Sequence, residues 1–256
     1  MYSRTMSDDS PKKRGRVIYG VNPVREALRA GAIGLIYVHS GRKKLMQEIS
    51  AEAKAAGVQI KVMHDMGYFD RNFPKGHQGV AADIAEDQST DVTLDELMEI
   101  PAERGQSAFF IILDQIEDPR NVGAILRSAE AAGVHGAVMQ DRRSAPLGAE
   151  AMKSSAGALA HIPICMLSNI KTGMRRMEEE GIRLIGAEAG AGPAPWEVDL
   201  SGPVALVIGS EGQGLRRTVA ELCHSLVSLP IRGKVGSLNA SAAAAVLIYE
   251  ALRQGR

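Results

Sequence analysis

From Phe109 onward, apolar runs alternate with helical patterns. The runs fall at 109–114, 136–140, 182–187 and 204–208, and the helical patterns at 121–132, 146–160, 168–180, 215–223 and 239–253. Strands that alternate with helices imply a mostly parallel sheet covered on both faces. Such sheets take ligands in the loops outside the carboxyl ends of their strands. The chain before this region has a smaller α/β pattern. Asn22-Pro23 reads as a helix start, with Asn22 as cap and Pro23 in the first turn of a short helix that runs to Ala30 and ends at Gly31. Residues 34–39, 58–63 and 79–84 read as strands, and an amphipathic helix over 44–56 closes at Gly57. This predicts a small α/β domain over 17–85 and a larger one over 107–256. Between them, 86–106 is acidic and its apolar residues thin out. It reads as a linker in which Leu94, Leu97 and Met98 make at most one short helix. Residues 1–16 are polar and without periodicity, as expected of a disordered basic tail.

Composition narrows the class. The chain has 256 residues, 45% apolar and 23% charged, which is ordinary globular composition with enough length for a substantial core. Aromatics are only 4%, so close-packed α/β architecture is favoured over an aromatic-rich β protein. No apolar run approaches a transmembrane helix, and the N-terminus lacks an apolar signal core. A soluble, cytoplasmic protein with no membrane partner is expected. Cys165 and Cys223 sit in apolar segments without a CxxC or metal-type neighbour, which predicts buried free thiols and no metal site. The net charge is zero, which argues against coating nucleic acid non-specifically. Basic residues nevertheless cluster at Lys12-Lys13-Arg14-Gly15-Arg16, Arg42-Lys43-Lys44, Arg142-Arg143, Arg216-Arg217 and Arg232 with Lys234. Such clusters contact phosphates where a fold gathers them on one side.

Three loops at strand ends carry candidate chemistry. In the first, Asp114 ends a strand and a helix begins near Asn121, with Val122, Ile125, Leu126 and Ala129 on its apolar face and Arg127 on another. Asn121 alone would be a helix cap and Arg127 a surface charge. The second is Ile208-Gly209-Ser210-Glu211-Gly212-Gln213-Gly214-Leu215, whose glycines allow a ligand close to the backbone. It has neither the Gly-Lys-Ser/Thr ending of a Walker loop nor the G-x-G-x-x-G spacing, and Glu211 would repel phosphate. The third runs from Leu229 to Ser241 and crowds Ser237, Asn239 and Ser241 at the start of an alanine-rich helix.

Together and in this order, Asn121-Val122-Gly123-Ala124-Ile125-Leu126-Arg127, the 208–215 loop, and Pro230-Ile231 through Ser237-Leu238-Asn239-Ala240-Ser241 resemble the motif set of the SpoU-type branch of the SPOUT RNA methyltransferases. The one departure is Ile231, where methionine often follows the proline. The segments Tyr19-Gly20-Val21-Asn22-Pro23-Val24-Arg25-Glu26-Ala27-Leu28 and His77-Gln78-Gly79-Val80-Ala81-Ala82 look like the small RNA-binding domain of one subgroup, which methylates a guanosine 2′-hydroxyl in large-subunit (23S) ribosomal RNA. The resemblance implies a parallel-sheet SPOUT domain with a deep trefoil knot, a homodimer, and S-adenosylmethionine as cofactor. It implies Gly209, Leu229, Ile231 and Leu238 as cofactor-binding residues, and Asn121, Arg127, Glu211, Ser237 and Asn239 as catalytic ones. Arg127 would act as the base or stabilise the developing alkoxide, and the high pKa of arginine favours the second. Asn121 would orient Arg127 or the ribose, Glu211 would anchor Arg127 or its loop, and RNA would be gripped through Arg42, Lys43, Lys44 and His77. A transfer RNA 2′-O-methyltransferase and a non-catalytic RNA-binding assembly factor are the alternatives.

Overall fold

The computed structural model describes residues 17–29, 31–73, 76–84, 91–190 and 192–255; the expected basic tail at 1–16 lies outside them. The chain divides into two compact units, Met1–Ser89 and Thr90–Arg256.

The described residues of the first unit form a four-stranded sheet with three helices. Its elements are β1 (Val17–Tyr19), α1 (Val21–Arg29), β2 (Ile33–His39), α2 (Lys43–Ala56), β3 (Gln59–Met63), α3 (Met66–Asn72) and β4 (Val80–Ile84). The strand order is β1-β4-β2-β3, with β2 and β3 parallel and β4 antiparallel to both its neighbours. Helix α2 ends as its sequence predicts, with Gly57 left-handed at φ 72° and its N–H on the last carbonyls. Helix α3, absent from the sequence expectation, is capped by Asp65 and buries Phe69 against Phe73 and Ala81.

The second unit begins earlier than its sequence suggests. The expected linker contains α4 (Leu94–Glu103), which carries a full capping box: the Thr93 hydroxyl accepts the Glu96 N–H, and the Glu96 carboxylate accepts the Thr93 N–H at 2.7 Å. Leu97 is fully buried in the core of this unit. Its packing explains why Gly136 is glycine, since a Cβ there would stand 2.3 Å from the Leu97 Cδ1. The acidic residues Asp95, Glu96, Glu99 and Glu103 thus form the solvated face of a packed helix rather than part of a linker.

The sheet contains β5 (Phe109–Asp114), β6 (Gly136–Gln140), β7 (Ile164–Leu167), β8 (Arg183–Ala187), β9 (Val204–Gly209) and β10 (Ser225–Val227) in the order β10-β8-β9-β5-β6-β7, and all its pairings are parallel. β5 and β9 are buried at every position, as two-sided coverage demands. The helices are α5 (Pro119–Ala131), α6 (Ala149–Ser154), α7 (Ile170–Glu179), α8 (Arg217–Ala220) and α9 (Ala240–Arg253). The helix expected over 146–160 is interrupted, because Ala156 and Gly157 turn left-handed at φ 48° and 91° and only a 3-10 turn follows. That expected over 215–223 shrinks to α8. The short strands β7 and β10 were not anticipated. The chain leaves β5 for β6 on one side and comes back through β8 and β9 on the other. The ends of β5 and β9, where Asp114 pairs with Gly209, are thus a topological switch point. Among the described residues no helix is long and apolar enough to cross a membrane.

Candidate active site

Two cavities open beside this switch point. The larger, about 320 Å³, lies beyond the ends of β8, β9 and β10 and against α9. Its walls include Ile208, Leu229, Leu238 and Leu247, with Ser237 and Ile231 also lining it. Its floor is the 209–214 loop, closed by paired hydrogen bonds between Ser210 and Gly214 at 3.1 and 3.0 Å. Gly209 is demanded here: a Cβ would stand 2.2 Å from the Gly214 carbonyl carbon and 2.4 Å from the Leu215 nitrogen. Glu188 braces the loop from the β8 end by accepting the Leu215 N–H at 3.0 Å. The smaller cavity, about 210 Å³, is lined by residues 115–118, Asn121, Ser210, Glu211 and Gln213, so Ser210, Glu211 and Gln213 border both.

At this shared wall the three predicted loops meet. The Asn121 amide donates to Glu211 Oε2 at 3.1 Å, and the Asn239 amide donates to Asn121 Oδ1 at 2.9 Å and to Glu211 Oε2 at 3.4 Å. Asn239 Oδ1 faces the other way and caps α9, accepting from the Ser241 and Ala242 N–H groups. Its capping role therefore fixes the direction of its amide. Asn121 is 7% exposed and lies inside α5, whose cap is Asp118. Its amide keeps one N–H, and Glu211 keeps Oε1, for a ligand. The Arg120 side chain and its main-chain N–H hold the Asp118 carboxyl below the usual carboxylate range.

Seven of the nine predicted site residues line the larger cavity or its shared wall: Gly209, Glu211, Leu229, Ile231, Ser237 and Leu238 directly, and Asn121 through the smaller cavity. Asn239 joins them by its hydrogen bonds. Arg127 does not. It is exposed, lines neither cavity, and meets neither Asn121 nor Glu211; six residues along a helix separate it from Asn121 by about 9 Å and about a third of a turn. Glu211 anchors the two asparagines instead of the arginine. His77 also differs from its expectation as an RNA contact. It is 9% exposed, stacks on Phe69 at 5.4 Å, accepts the Gly79 N–H through Nδ1 and faces Asp70 through Nε2 at 3.1 Å, so it sets the turn before β4. Arg42, Lys43 and Lys44 are exposed as expected.

The sequence reasoning missed a brace beneath the site. Asp114 is 1% exposed and accepts from the Arg216 main-chain N–H at 2.9 Å and from its Nε at 2.7 Å, while Arg216 Nη2 reaches Gln140 Oε1 at 2.9 Å. One guanidinium thus ties the ends of β5 and β6 to the loop after β9. An acidic residue closing a fully apolar strand was the available signal. Both cysteines are free thiols, Cys165 buried as expected and Cys223 only half-buried, and desolvation pushes them up to about 11 and about 12.

A parallel α/β sheet with an apolar ligand cavity and an amide–carboxylate cluster at its switch point, preceded by a separate small α/β unit, has the make-up of a two-unit enzyme. Residues 108–249 match the SpoU rRNA Methylase family, and residues 17–90 match the RNA 2'-O ribose methyltransferase substrate binding family. The chain belongs to the SpoU methylase family of RNA 2′-O-methyltransferases. It is 38% identical to YacO of Bacillus subtilis, assigned to the TrmH family of tRNA/rRNA methyltransferases, over 93% of this chain and 95% of that one. It is 36% identical to the 23S rRNA (guanosine-2'-O-)-methyltransferase RlmB of Pectobacterium atrosepticum, over 93% and 98%. The crystal structure of the SpoU methyltransferase AviRb from Streptomyces viridochromogenes in complex with AdoMet superposes with a TM-score of 0.68 at 25% identity, covering 93% of this chain and 89% of that one.

Proposed function

We propose that this chain methylates the ribose 2′-hydroxyl of a guanosine in large-subunit ribosomal RNA, with S-adenosylmethionine as donor. The observation that carries the proposal is the Asn121–Glu211–Asn239 cluster on the wall between an apolar cavity and a polar one. The apolar cavity fits the cofactor. Gly209 admits a ligand against main chain, Leu229, Leu238 and Leu247 enclose an apolar ring, and Ile231 closes the side where methionine is usual. When bound, S-adenosylmethionine supplies a methyl group already activated by its sulfonium. The protein then has to orient the hydroxyl and manage its proton.

Asn121 donates its remaining N–H to a ribose oxygen, and Glu211 Oε1 accepts the hydroxyl hydrogen. Asn239 holds both in register, and Ser237 shapes the rim. The Arg127 guanidinium meets the developing alkoxide or an adjacent phosphate once RNA is bound. Its exposed position in the free chain is consistent with a group completed by substrate. The small N-terminal unit grips RNA through Arg42, Lys43 and Lys44. The deep knot and the homodimer implied by the family complete the proposal. For the dimer, α9 leaves Ala242, Val246 and Tyr249 exposed along one stripe, with Val246 44% and Tyr249 50% accessible.

Labelled S-adenosylmethionine and total RNA, followed by mapping of the modified ribose, test the proposal. A label at one guanosine of large-subunit RNA supports it. A label in transfer RNA supports the reading that the name of YacO also covers. No transfer to any RNA favours an assembly factor.

A further inference from the structure

We infer that the smaller cavity is the pocket for the target nucleobase, and that Glu117 selects guanine by accepting its N1–H and N2-amino hydrogens. This rests on the proposed methyl transfer to a ribose. The base hangs from the sugar carbon next to the one that bears the reacting hydroxyl. With the hydroxyl at Glu211 and the cofactor in the apolar cavity, the base is carried to the side of Glu211 away from the cofactor, where the 210 Å³ cavity opens.

Its lining is prepared for a polar, uncharged ligand rich in donors. Gln115, Glu117 and Gln213 line it, Glu117 and Gln213 at its exposed mouth, and none of the three has a hydrogen-bond partner among the described residues. Of the other two carboxylates, Asp118 is occupied by Arg120 and caps α5, and Glu211 is held through Oε2 by Asn121 and Asn239 and faces the ribose through Oε1 in the proposed function. Glu117 is the carboxylate left to meet the base. No lysine or arginine lines the cavity, so nothing there welcomes a phosphate. Gln115 adds a second sign of purpose. It is left-handed at φ 55° without being glycine, a strained conformation of the kind that persists at ligand sites. Ile116, 2% exposed, supplies an apolar surface beside these polar ends.

An ionised carboxylate is acceptor-only and accepts two parallel hydrogen bonds. Among the bases, guanine alone presents two adjacent donors on its pairing edge. Adenine and cytosine present an acceptor beside their amino group, and uracil flanks one donor with two acceptors. A carboxylate opposite either kind of acceptor is repelled. Enzymes that act on one nucleotide read its pairing edge in this way after it leaves the stack.

The experiment uses the full-length protein and synthetic RNA hairpins that carry guanosine, inosine or 7-deazaguanosine at the mapped position. Inosine lacks the N2-amino group, and 7-deazaguanosine keeps the pairing edge intact. The wild-type protein is expected to lose about 10- to 100-fold in kcat/KM on inosine, the range for one charge-assisted hydrogen bond, and to keep its rate on 7-deazaguanosine. Glu117→Gln is expected to lose a similar factor on guanosine, to bring the guanosine-to-inosine ratio close to one, and to leave the Kd for S-adenosylmethionine unchanged. If the wild type methylates guanosine but treats inosine equally, or if Glu117→Gln keeps the full ratio, the base pocket is overturned while the methyl transfer stands. If methylation falls on a nucleoside other than guanosine, the proposed substrate and the base pocket fail together.

Discussion

Replacing Gly209 by alanine probes the floor of the cavity proposed for the cofactor more sharply than any charge change. The added Cβ would lie 2.2 and 2.3 Å from the Gly214 carbonyl carbon and oxygen and 2.4 Å from the Leu215 nitrogen. All three are main-chain atoms, so no side-chain rotation relieves the clash. The loop has to open, and the two Ser210–Gly214 hydrogen bonds go with it. Overpacking typically costs about 1–3 kcal/mol, and each hydrogen bond contributes about 0.5–1.5 kcal/mol. A loss of about 2–6 kcal/mol, borne by the folded loop or by the cofactor, follows. Isothermal titration with S-adenosylmethionine should show at least a tenfold weaker Kd, with a lowered Tm in a parallel melt. Gly212→Ala is the control: Gly212 has φ +83° and open space around its missing Cβ, so only backbone strain of about 1 kcal/mol is expected. A Gly209→Ala protein with wild-type Kd and Tm would refute the tight-floor argument.

Three other perturbations separate stability from chemistry. Arg216→Met leaves the buried Asp114 carboxylate without its fork, and a destabilisation of about 3 kcal/mol is expected in urea melts; Asp114→Leu in the same chain should recover part of it. Asn239→Ser keeps an oxygen to cap α9 but is too short to reach Asn121 and Glu211, so stability should hold within about 0.5 kcal/mol while methyl transfer falls at least tenfold. Cys165 and Cys223 should resist a thiol reagent at pH 8 until the protein unfolds. Their values of about 11 and about 12 keep both as thiols there, and a thiolate appears only as the pH approaches them.

Much of the architecture is legible in the chain because its long elements follow one period each. The runs at 109–114 and 136–140 are strands at those residues, since a strand buried on both faces needs uninterrupted apolar side chains. Short elements carry too few residues to show a period: β7 has four and β10 three, and tertiary pairing alone defines them. Helix α4 was legible as one short helix on Leu94, Leu97 and Met98, but acidic composition hid its packing into the core, although Thr93 and Glu96 spell its capping box. The site was partly legible for a different reason. Asn121 in α5, Glu211 in the loop after β9 and Asn239 at the cap of α9 are far apart in sequence, and only the motif resemblance joined them. Spacing within each loop says nothing of their mutual hydrogen bonds. Arg127 belongs to the same motif yet stays apart from the cluster, because the buried face of α5 is set by Asn121, Val122, Ile125 and Leu126. The Asp114–Arg216 fork spans 102 positions; Asp114 at the end of an apolar strand marks one half of it, and nothing local pairs it with Arg216.

The central claim is that the reacting group is a ribose 2′-hydroxyl held at Asn121 and Glu211. A synthetic RNA with 2′-deoxyguanosine at the mapped position tests it most directly, by counting methyl groups transferred from labelled S-adenosylmethionine. Transfer should vanish on the deoxy RNA while that RNA still competes with the ribose form for the enzyme. Continued methylation at that nucleotide would place the chemistry on the base and contradict the account.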